Sequence, residues 1–224
     1  MSDQHKEGGI EVAQTLSRME QWFEDNKKPV TYVVGALALI IGGYFAFTQF
    51  YLGPKENDAQ NDMFMAQKYF EQDSLKLALN GDGNYPGFIG IMDDYKWTKS
   101  ANLAHFYAGC CYLQTGKFED AISMFEDYKA KDKITGAFAF GGLGDAYSET
   151  GNMEKAIEYY KKAAYFNENE FTTPMYLKRA GLALEHEGKG AEAKQLYENI
   201  QLKYPQSPDA RDIDKYIARA GSGN

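Results

Sequence analysis

The side chains that could carry out chemistry are few and lie far apart along the chain. Histidines stand at His5, His105 and His186, and two cysteines are neighbours at Cys110 and Cys111. No zinc-ligand spacing and no nucleophile–base motif joins these residues to one another or to a carboxylate. Adjacent Cα atoms also disfavour a disulfide between the two cysteines, which are interpreted as small apolar residues of a helix. We therefore predict no catalytic residue, no metal and no cofactor, and a protein that is not an enzyme.

Two glycine-rich segments partly match the patterns of ligand-binding loops. Residues 80–87, NGDGNYPG, place oxygen ligands at alternating positions, as a calcium loop does. However, Tyr85 stands where such a loop needs glycine, and Ile91 where it needs a bidentate glutamate. Residues 141–144, GGLG, lie within a helical pattern and do not follow a strand, which argues against a phosphate cradle. The first segment is interpreted as a turn and the second as part of a helix.

Composition excludes one large class of partners. The 224 residues are 44% hydrophobic and carry a formal net charge of −8. Nucleic-acid binding depends on clustered lysine and arginine, so we expect no nucleic-acid partner. No small-molecule substrate is expected either.

A long apolar run, Val30 to Leu52, contains no charged residue and is long enough to cross a bilayer as a helix. A secretory signal peptide is the alternative, but the run is too long, starts late and lacks a cleavage site. A buried helix of a soluble fold would show a polar stripe, and this run has none. We predict a transmembrane helix over residues 30–52.

The flanking charges predict the orientation of this helix. Lys27 and Lys28 precede it closely, with Arg18 further back, whereas only Lys55 follows closely. Positive residues favour the cytoplasmic side, so the N-terminus should be cytoplasmic. In a bacterium the remainder would lie in the periplasm, with the helix in the inner membrane; for an organelle membrane the rule is weaker.

Small residues form a stripe along the predicted span, where a second helix could approach closely. An equally acceptable interpretation is that small residues are simply common in membrane helices. The predicted contact residues are Gly35, Ala38, Gly42, Gly43 and Ala46.

Residues 1–29 are predicted to be a cytoplasmic segment that contains an amphipathic helix over Ile10–Asp25. Its apolar face carries Val12, Leu16 and Phe23, and its polar face is acidic. A partner helix in the cytoplasm and a position at the membrane interface both fit this pattern.

Three copies of one pattern follow the span, marked by Gly109, Gly144 and Gly181, which are 35 and 37 positions apart. In each copy a second glycine suits a helix C-terminal turn, an alanine suits a helix crossing, and an aromatic residue fills the space between helices. The matched positions are Gly109, Tyr112, Gly116, Phe118, Ala121 and Phe125; Gly144, Tyr147, Gly151, Met153, Ala156 and Tyr160; and Gly181, Leu184, Gly188, Gly190, Ala193 and Tyr197.

This pattern resembles the tetratricopeptide repeat family, and the resemblance implies an all-α solenoid of helical hairpins. We expect a linker at 53–57, a degenerate capping hairpin at 58–101 and three repeats at 102–207. A C-terminal capping helix with a tail should occupy 208–224, beginning at Ser207-Pro208-Asp209.

By the same resemblance, the first helices of the repeats should line a concave groove. Its lining would be largely apolar and lacks the Lys/Asn set of carboxylate-clamping relatives, so capture of a helix or an apolar peptide is expected. Alternatively, the terminal helix fills the groove. The predicted groove residues are Leu103, Phe106, Cys110, Leu113, Phe138, Gly141, Asp145, Met175, Lys178 and Leu182.

The layout as a whole resembles the YfgM-like ancillary subunits of the bacterial Sec translocon, on the order of its elements, the Lys27-Lys28 flank and the Tyr204-Pro205-Gln206-Ser207 end of the third copy. This resemblance implies a membrane-bound subunit of the translocon that contacts exported polypeptides or periplasmic chaperones. A cell-division or envelope-assembly scaffold, or an organellar import receptor, would use the same parts.

Overall fold

The computed structural model describes residues 17–222, and the chain divides after Pro54 into two compact units. In the first unit, residues 17–25 are helical, helix α1 spans Lys27–Ala46, and a π-helix spans Phe47–Leu52. The second half of the predicted amphipathic helix is therefore helical, and its residues 10–16 lie outside the described residues.

Helix α1 and the π-helix hold the apolar run that was predicted to span a membrane. The helical stretch that contains them is long and apolar enough to do so, and no residue of α1 is buried. The hydroxyls of Thr31 and Thr48 donate to the carbonyls of Lys27 and Phe45 at 2.7 and 2.9 Å. These polar side chains are thus satisfied by their own helix, as a bilayer requires.

The predicted linker at residues 53–57 is wrong, because these residues begin helix α2, Gly53–Glu71. Pro54 lies in the first turn of α2, where its missing N–H costs little. The preceding Gly53 N–H donates to the carbonyl of Thr48, five residues back, so the π-helix leads directly into the proline. Beyond Pro54, Glu56 accepts hydrogen bonds from the Lys99 N–H at 2.5 Å and from the Ser100 hydroxyl at 2.8 Å. Residues 55–57 are therefore packed parts of the second unit.

Residues 58–101 hold most of α2 followed by two short helices, α3 (Leu75–Asn80) and α4 (Phe88–Asp94). The backbone leaves the helical conformation at Asp73, whose φ is +57°. Phe88 and Ile91 of α4 are fully buried in a cluster shared with the next helix. This cluster closes the N-terminal end of the repeats.

The three glycine-marked copies are three antiparallel helical hairpins, and no strand occurs in the part of the chain that the structure describes. A 3₁₀ turn, Pro208–Ala210, has proline at its first turn and leads into the last helix. The helices are α5 (Lys99–Gln114) with α6 (Phe118–Asp127), α7 (Lys133–Glu149) with α8 (Met153–Phe166), α9 (Thr172–His186) with α10 (Gly190–Lys203), and finally α11 (Ile213–Ser222). The all-α prediction is confirmed.

Glycine has two structural roles in each hairpin. At the turn, Gly151 has a φ of +79°, which a side chain would strain, and Gly116 and Gly188 have the same conformation. At the helix crossing, Gly144 lies against the ring of Tyr160, and a Cβ added there would come within 2.5 Å of Cδ1. The absence of a side chain at Gly144 thus sets the distance between α7 and α8.

We expect Gly144→Val to destabilise the repeat domain by about 1–3 kcal/mol, because the added atoms overpack a buried crossing. The measurement is urea unfolding followed by circular dichroism. Glu149→Val on the same helix is the control, since Glu149 is exposed. Equal midpoints for the two variants would contradict the close approach of α7 and α8.

Candidate functional site

Six of the ten predicted groove residues line one cavity of about 210 Å³, which lies where the first helices of the three repeats, α5, α7 and α9, face one another. The predicted residues that line it are Phe106, Cys110, Leu113, Phe138, Asp145 and Met175.

The walls of this cavity are apolar and aromatic. The Phe106 ring packs against Phe125 and Tyr128, with centroids 6.2 and 5.6 Å apart, and Phe138 meets Tyr176 edge-on at 6.3 Å. Burial raises the pKa of the Cys110 thiol to about 12, so it is neutral and adds no charge. The arrangement suits an apolar group far better than an ion.

One polar group closes the edge of the cavity. Arg179 donates to both carboxylate oxygens of Asp145 at 2.6 Å, and the Tyr160 hydroxyl donates to the same carboxylate at 2.7 Å. Burial and then Asp145 raise the pKa of Tyr160, so its hydroxyl stays a donor. The charge of Arg179 is therefore already paired and is not available to clamp a carboxylate of a partner.

A second triad, again of an arginine, a carboxylate and a tyrosine, joins the third repeat to the terminal helix. Arg219 of α11 donates to Glu185 at 2.9 and 2.5 Å, and the Tyr197 hydroxyl donates to Glu185 at 2.8 Å. The hydrogen bond from Arg219 holds the pKa of Glu185 below its usual value. In the first repeat the equivalent aromatic is Phe125, which has no hydroxyl. Phe125 therefore lines the apolar cavity, whereas Tyr160 and Tyr197 each complete a polar triad.

Both triads were missed at the sequence level. The signal that could have found them is the tyrosine at 160 and 197, since a buried hydroxyl needs a hydrogen-bond partner.

The other four predicted groove residues lie elsewhere. Leu103 packs against the N-terminal cluster, and Gly141 is buried beneath the ring of Tyr176. Lys178 pairs with Asp212 at 3.2 Å in the C-terminal segment, and Leu182 is exposed beside a neighbouring cavity. Helical spacing predicts that all four share the groove face. Adjacent elements, however, cover Leu103, Gly141 and Lys178.

The terminal helix does not fill the cavity. Its buried residues Ile213 and Ala220 lie in the core cluster shared with α10, and Tyr216 packs on Tyr197 at 5.5 Å. None of the residues that line the cavity belongs to α11. Among the described residues, the cavity is thus open to a partner.

In the first unit, the predicted contact residues Gly35, Ala38, Gly42, Gly43 and Ala46 all lie on α1. A Cβ added at Gly35, Gly42 or Gly43 would find no atom within 4 Å. The space needed for a second helix is present, and the contact itself stays a prediction.

The sequence matches family models described as tetratricopeptide repeat at residues 103–132, 139–170 and 176–207. These ranges coincide with the three glycine-marked copies. No curated protein sequence matches the chain.

Among solved structures, one similar chain is described as nearly identical TPR-like repeats of a candidate kinesin light chain from Podosopora anserina. It is 16% identical, covers 75% of this chain and 88% of its own length, and superposes with a TM-score of 0.58. At that identity the likeness shows the fold alone.

Proposed function

Because the chain carries three tetratricopeptide repeats, which form a scaffold for protein–protein interaction, we propose that it is a membrane-anchored accessory subunit of the Sec translocon. In this role it contacts exported polypeptides or periplasmic chaperones. The observation that carries the proposal is the largely apolar cavity among the first helices of the repeats, in a chain whose N-terminal helix is long and apolar enough to cross a membrane.

The cavity defines the kind of segment that would be captured. Its volume of about 210 Å³ is below the ~300 Å³ at which small-molecule sites begin, so it suits one large apolar side chain of a protein partner. Exposed Phe171 packs on Phe138, with ring centroids 6.4 Å apart, and extends the apolar surface beyond the cavity. An amphipathic helix or an extended apolar segment can therefore anchor one residue in the cavity and rest on this surface.

The proposed topology follows from the lysines before the span. With Lys27 and Lys28 on the cytoplasmic side, the repeats lie in the periplasm, and the membrane is the bacterial inner membrane. Protease treatment of spheroplasts tests this topology, because a periplasmic repeat domain is digested while the membrane is intact.

Purification of the full chain in a mild detergent, followed by mass spectrometry of the co-purifying proteins, tests the Sec assignment. We expect the membrane subunits of the translocon in amounts comparable to the bait. A control bait keeps residues 1–54 and replaces the repeats with an unrelated soluble domain, so that contacts made only through the span are recognised. Recovery of other envelope proteins without Sec subunits would overturn the assignment and favour another scaffold.

A further inference from the structure

Exposed apolar side chains are concentrated at one edge of the repeat domain. At this edge, here called the loop edge, α5, α7 and α9 begin and α6, α8 and α10 end. Hydrogen bonds join neighbouring segments there, as between Asn102 and Lys129 at 2.9 Å and from Thr173 to Ala164 at 3.0 Å. In the described part of the second unit, six of the ten exposed large hydrophobic side chains lie at this edge: Trp97, Ile134, Tyr165, Phe166, Phe171 and Leu202.

The opposite edge differs in character. Its turns, at Gly116, Gly151 and Gly188, carry no exposed large hydrophobic side chain, and the exposed Leu77 lines a cavity with Gln114 and Thr115 beside the first turn. A domain with both edges in water is not expected to concentrate its exposed apolar side chains at one of them. The loop edge is therefore the side on which an amphipathic surface would be contacted.

Trp97 is the most exposed aromatic side chain of the second unit, with 75% of its surface accessible. It follows α4 and has a φ of +71°, a backbone conformation that bulky residues rarely adopt. The next residue, Thr98, caps α5 by accepting a hydrogen bond from the Ala101 N–H at 3.0 Å. The chain thus holds a large amphipathic ring outward in a strained conformation, which is typical of functional positions.

A polar cavity of about 330 Å³ lies beside Trp97, and three lysines line it: Lys96, Lys129 and Lys131. His105 also lines this cavity, and its buried Nδ1 has no hydrogen-bond partner among the described residues. Burial lowers the pKa of His105, so the positive charge comes from the lysines.

The lysine-lined cavity is a basic feature on an acidic chain. Its one carboxylate is Asp127, against three lysines. Asp93 and Asp94 lie in the sequence just before Lys96, and Asp132 is occupied in capping α7. The neighbouring carboxylates offset much of the positive charge elsewhere along the edge. An anionic group would therefore be attracted to the cavity, where lysines outnumber carboxylates.

Residues 94–99 are hydrogen-bonded to the first residues of the second unit. Lys55 donates a hydrogen bond to the carbonyl of Asp94 at 3.0 Å, and Glu56 accepts one from the Lys99 N–H, so residues 94–99 lie against the start of the second unit. Lys55 follows Leu52 by only three residues, and three residues reach at most about 11 Å. If Leu52 ends at a membrane surface, residues 94–99 lie close to that surface.

We propose that the loop edge around Trp97 rests on the membrane surface, with the Trp97 ring in the headgroup region and Lys96, Lys129 and Lys131 against anionic lipid phosphates. The inference rests on the membrane anchoring proposed above. Tryptophan prefers this interface because its ring is apolar and its N–H is polar, and lysines near an anionic leaflet are attracted to it. Such a contact would fix how the groove faces the membrane.

The test uses the fluorescence of Trp97 in the full chain. Trp22→Phe leaves Trp97 as the single tryptophan, because the chain has two. The protein is incorporated into nanodiscs of phosphatidylcholine with and without phosphatidylglycerol, each also prepared with lipids brominated near the headgroup. We expect the brominated lipids to quench Trp97, with quenching roughly twofold stronger when phosphatidylglycerol is present.

Two lysine-to-glutamine triples separate specific from general charge effects. Lys96→Gln, Lys129→Gln and Lys131→Gln together should abolish the phosphatidylglycerol dependence. The control triple, at the exposed Lys68, Lys117 and Lys189, should retain it.

Three outcomes would overturn the inference. If the protein enters the nanodiscs but Trp97 is quenched only by aqueous acrylamide, this inference fails while the anchoring stands; the same holds if Trp97 is shielded only when another protein co-purifies. If the protein does not enter nanodiscs at all, the anchoring fails, and this inference fails with it.

Discussion

Arginine at both Leu39 and Ile40 should move the protein from the membrane to the soluble fraction. These residues lie at the middle of the apolar stretch and are exposed on α1, at 78% and 67%. Each arginine at the centre of a membrane helix costs about 2.5–3.5 kcal/mol, and the favourable transfer of leucine and isoleucine is lost as well. The measurement is the fraction of protein that stays in the pellet after carbonate extraction.

A matched variant carries the same two arginines outside the apolar stretch, at Met19 and Phe23. Both are exposed in the helical residues 17–25. This variant should remain in the pellet, because its charges need not cross the bilayer. Retention of the Leu39/Ile40 variant in the pellet, or extraction of the unmodified chain, would argue that α1 does not span a membrane.

The architecture of the repeats could be predicted because each copy repeats several independent local signals. A glycine at the turn, such as Gly151, and one at the crossing, such as Gly144, have separate steric reasons, and together they determine where each hairpin bends and how closely its helices pack. The family-model matches cover the same three copies.

The linker at 53–57 was predicted wrongly because Gly53-Pro54 was interpreted as a helix break. Proline breaks a helix only where the helix needs the N–H that proline lacks, or where its ring conflicts with the preceding turn. Here the π-helix at Phe47–Leu52 shifts the hydrogen-bond pattern by one residue before Pro54, and Glu56 is held by α5. Neither the shift nor the contact with a helix 43 residues away is encoded in local sequence.

Only six of the ten predicted groove residues lie together in the cavity, for a related reason. Spacing along one helix assigns residues to a face, but it does not show which neighbouring helix covers that face. Lys178 is on the expected face, yet the C-terminal segment brings Asp209 and Asp212 to it. The acid–arginine contacts of the triads likewise join residues 34 positions apart, so they are visible only after the repeats are stacked.

The stacked repeats are not equivalent, and the difference bears on where an apolar segment of the proposed partner would enter. Polar triads centred on Asp145 and Glu185 fix the second and third junctions. The first junction has Phe125, Gly142 and Cys110 at its contact, which are apolar or lack a side chain. An apolar side chain of a partner can pack against these groups without displacing a hydrogen bond, whereas insertion at Asp145 or Glu185 would disrupt the triads.

Glutamate at Met175 should therefore abolish partner capture while the fold is retained. Met175 lines the cavity and is only partly buried, so the carboxylate can reach solvent in the free protein. A bound apolar side chain would desolvate this charge, and Arg179, four residues further along α9, could pair with it only by sharing the guanidinium that already binds Asp145. We expect binding to weaken by roughly 30-fold or more, since about 2 kcal/mol of desolvation corresponds to that factor.

A photo-reactive amino acid at Leu182, which is 41% exposed beside the neighbouring cavity, reports capture in intact cells. Its adducts are identified by mass spectrometry in the unmodified, Met175→Glu and Phe64→Glu backgrounds. Phe64 is 66% exposed on α2 and lies outside the cavity, so its substitution should leave the adducts unchanged. Circular dichroism and the thermal midpoint confirm that each variant is folded. If folded Met175→Glu protein forms the same adducts at the same yield, partners bind another face of the repeats, and the unequal junctions serve only the stability of the array.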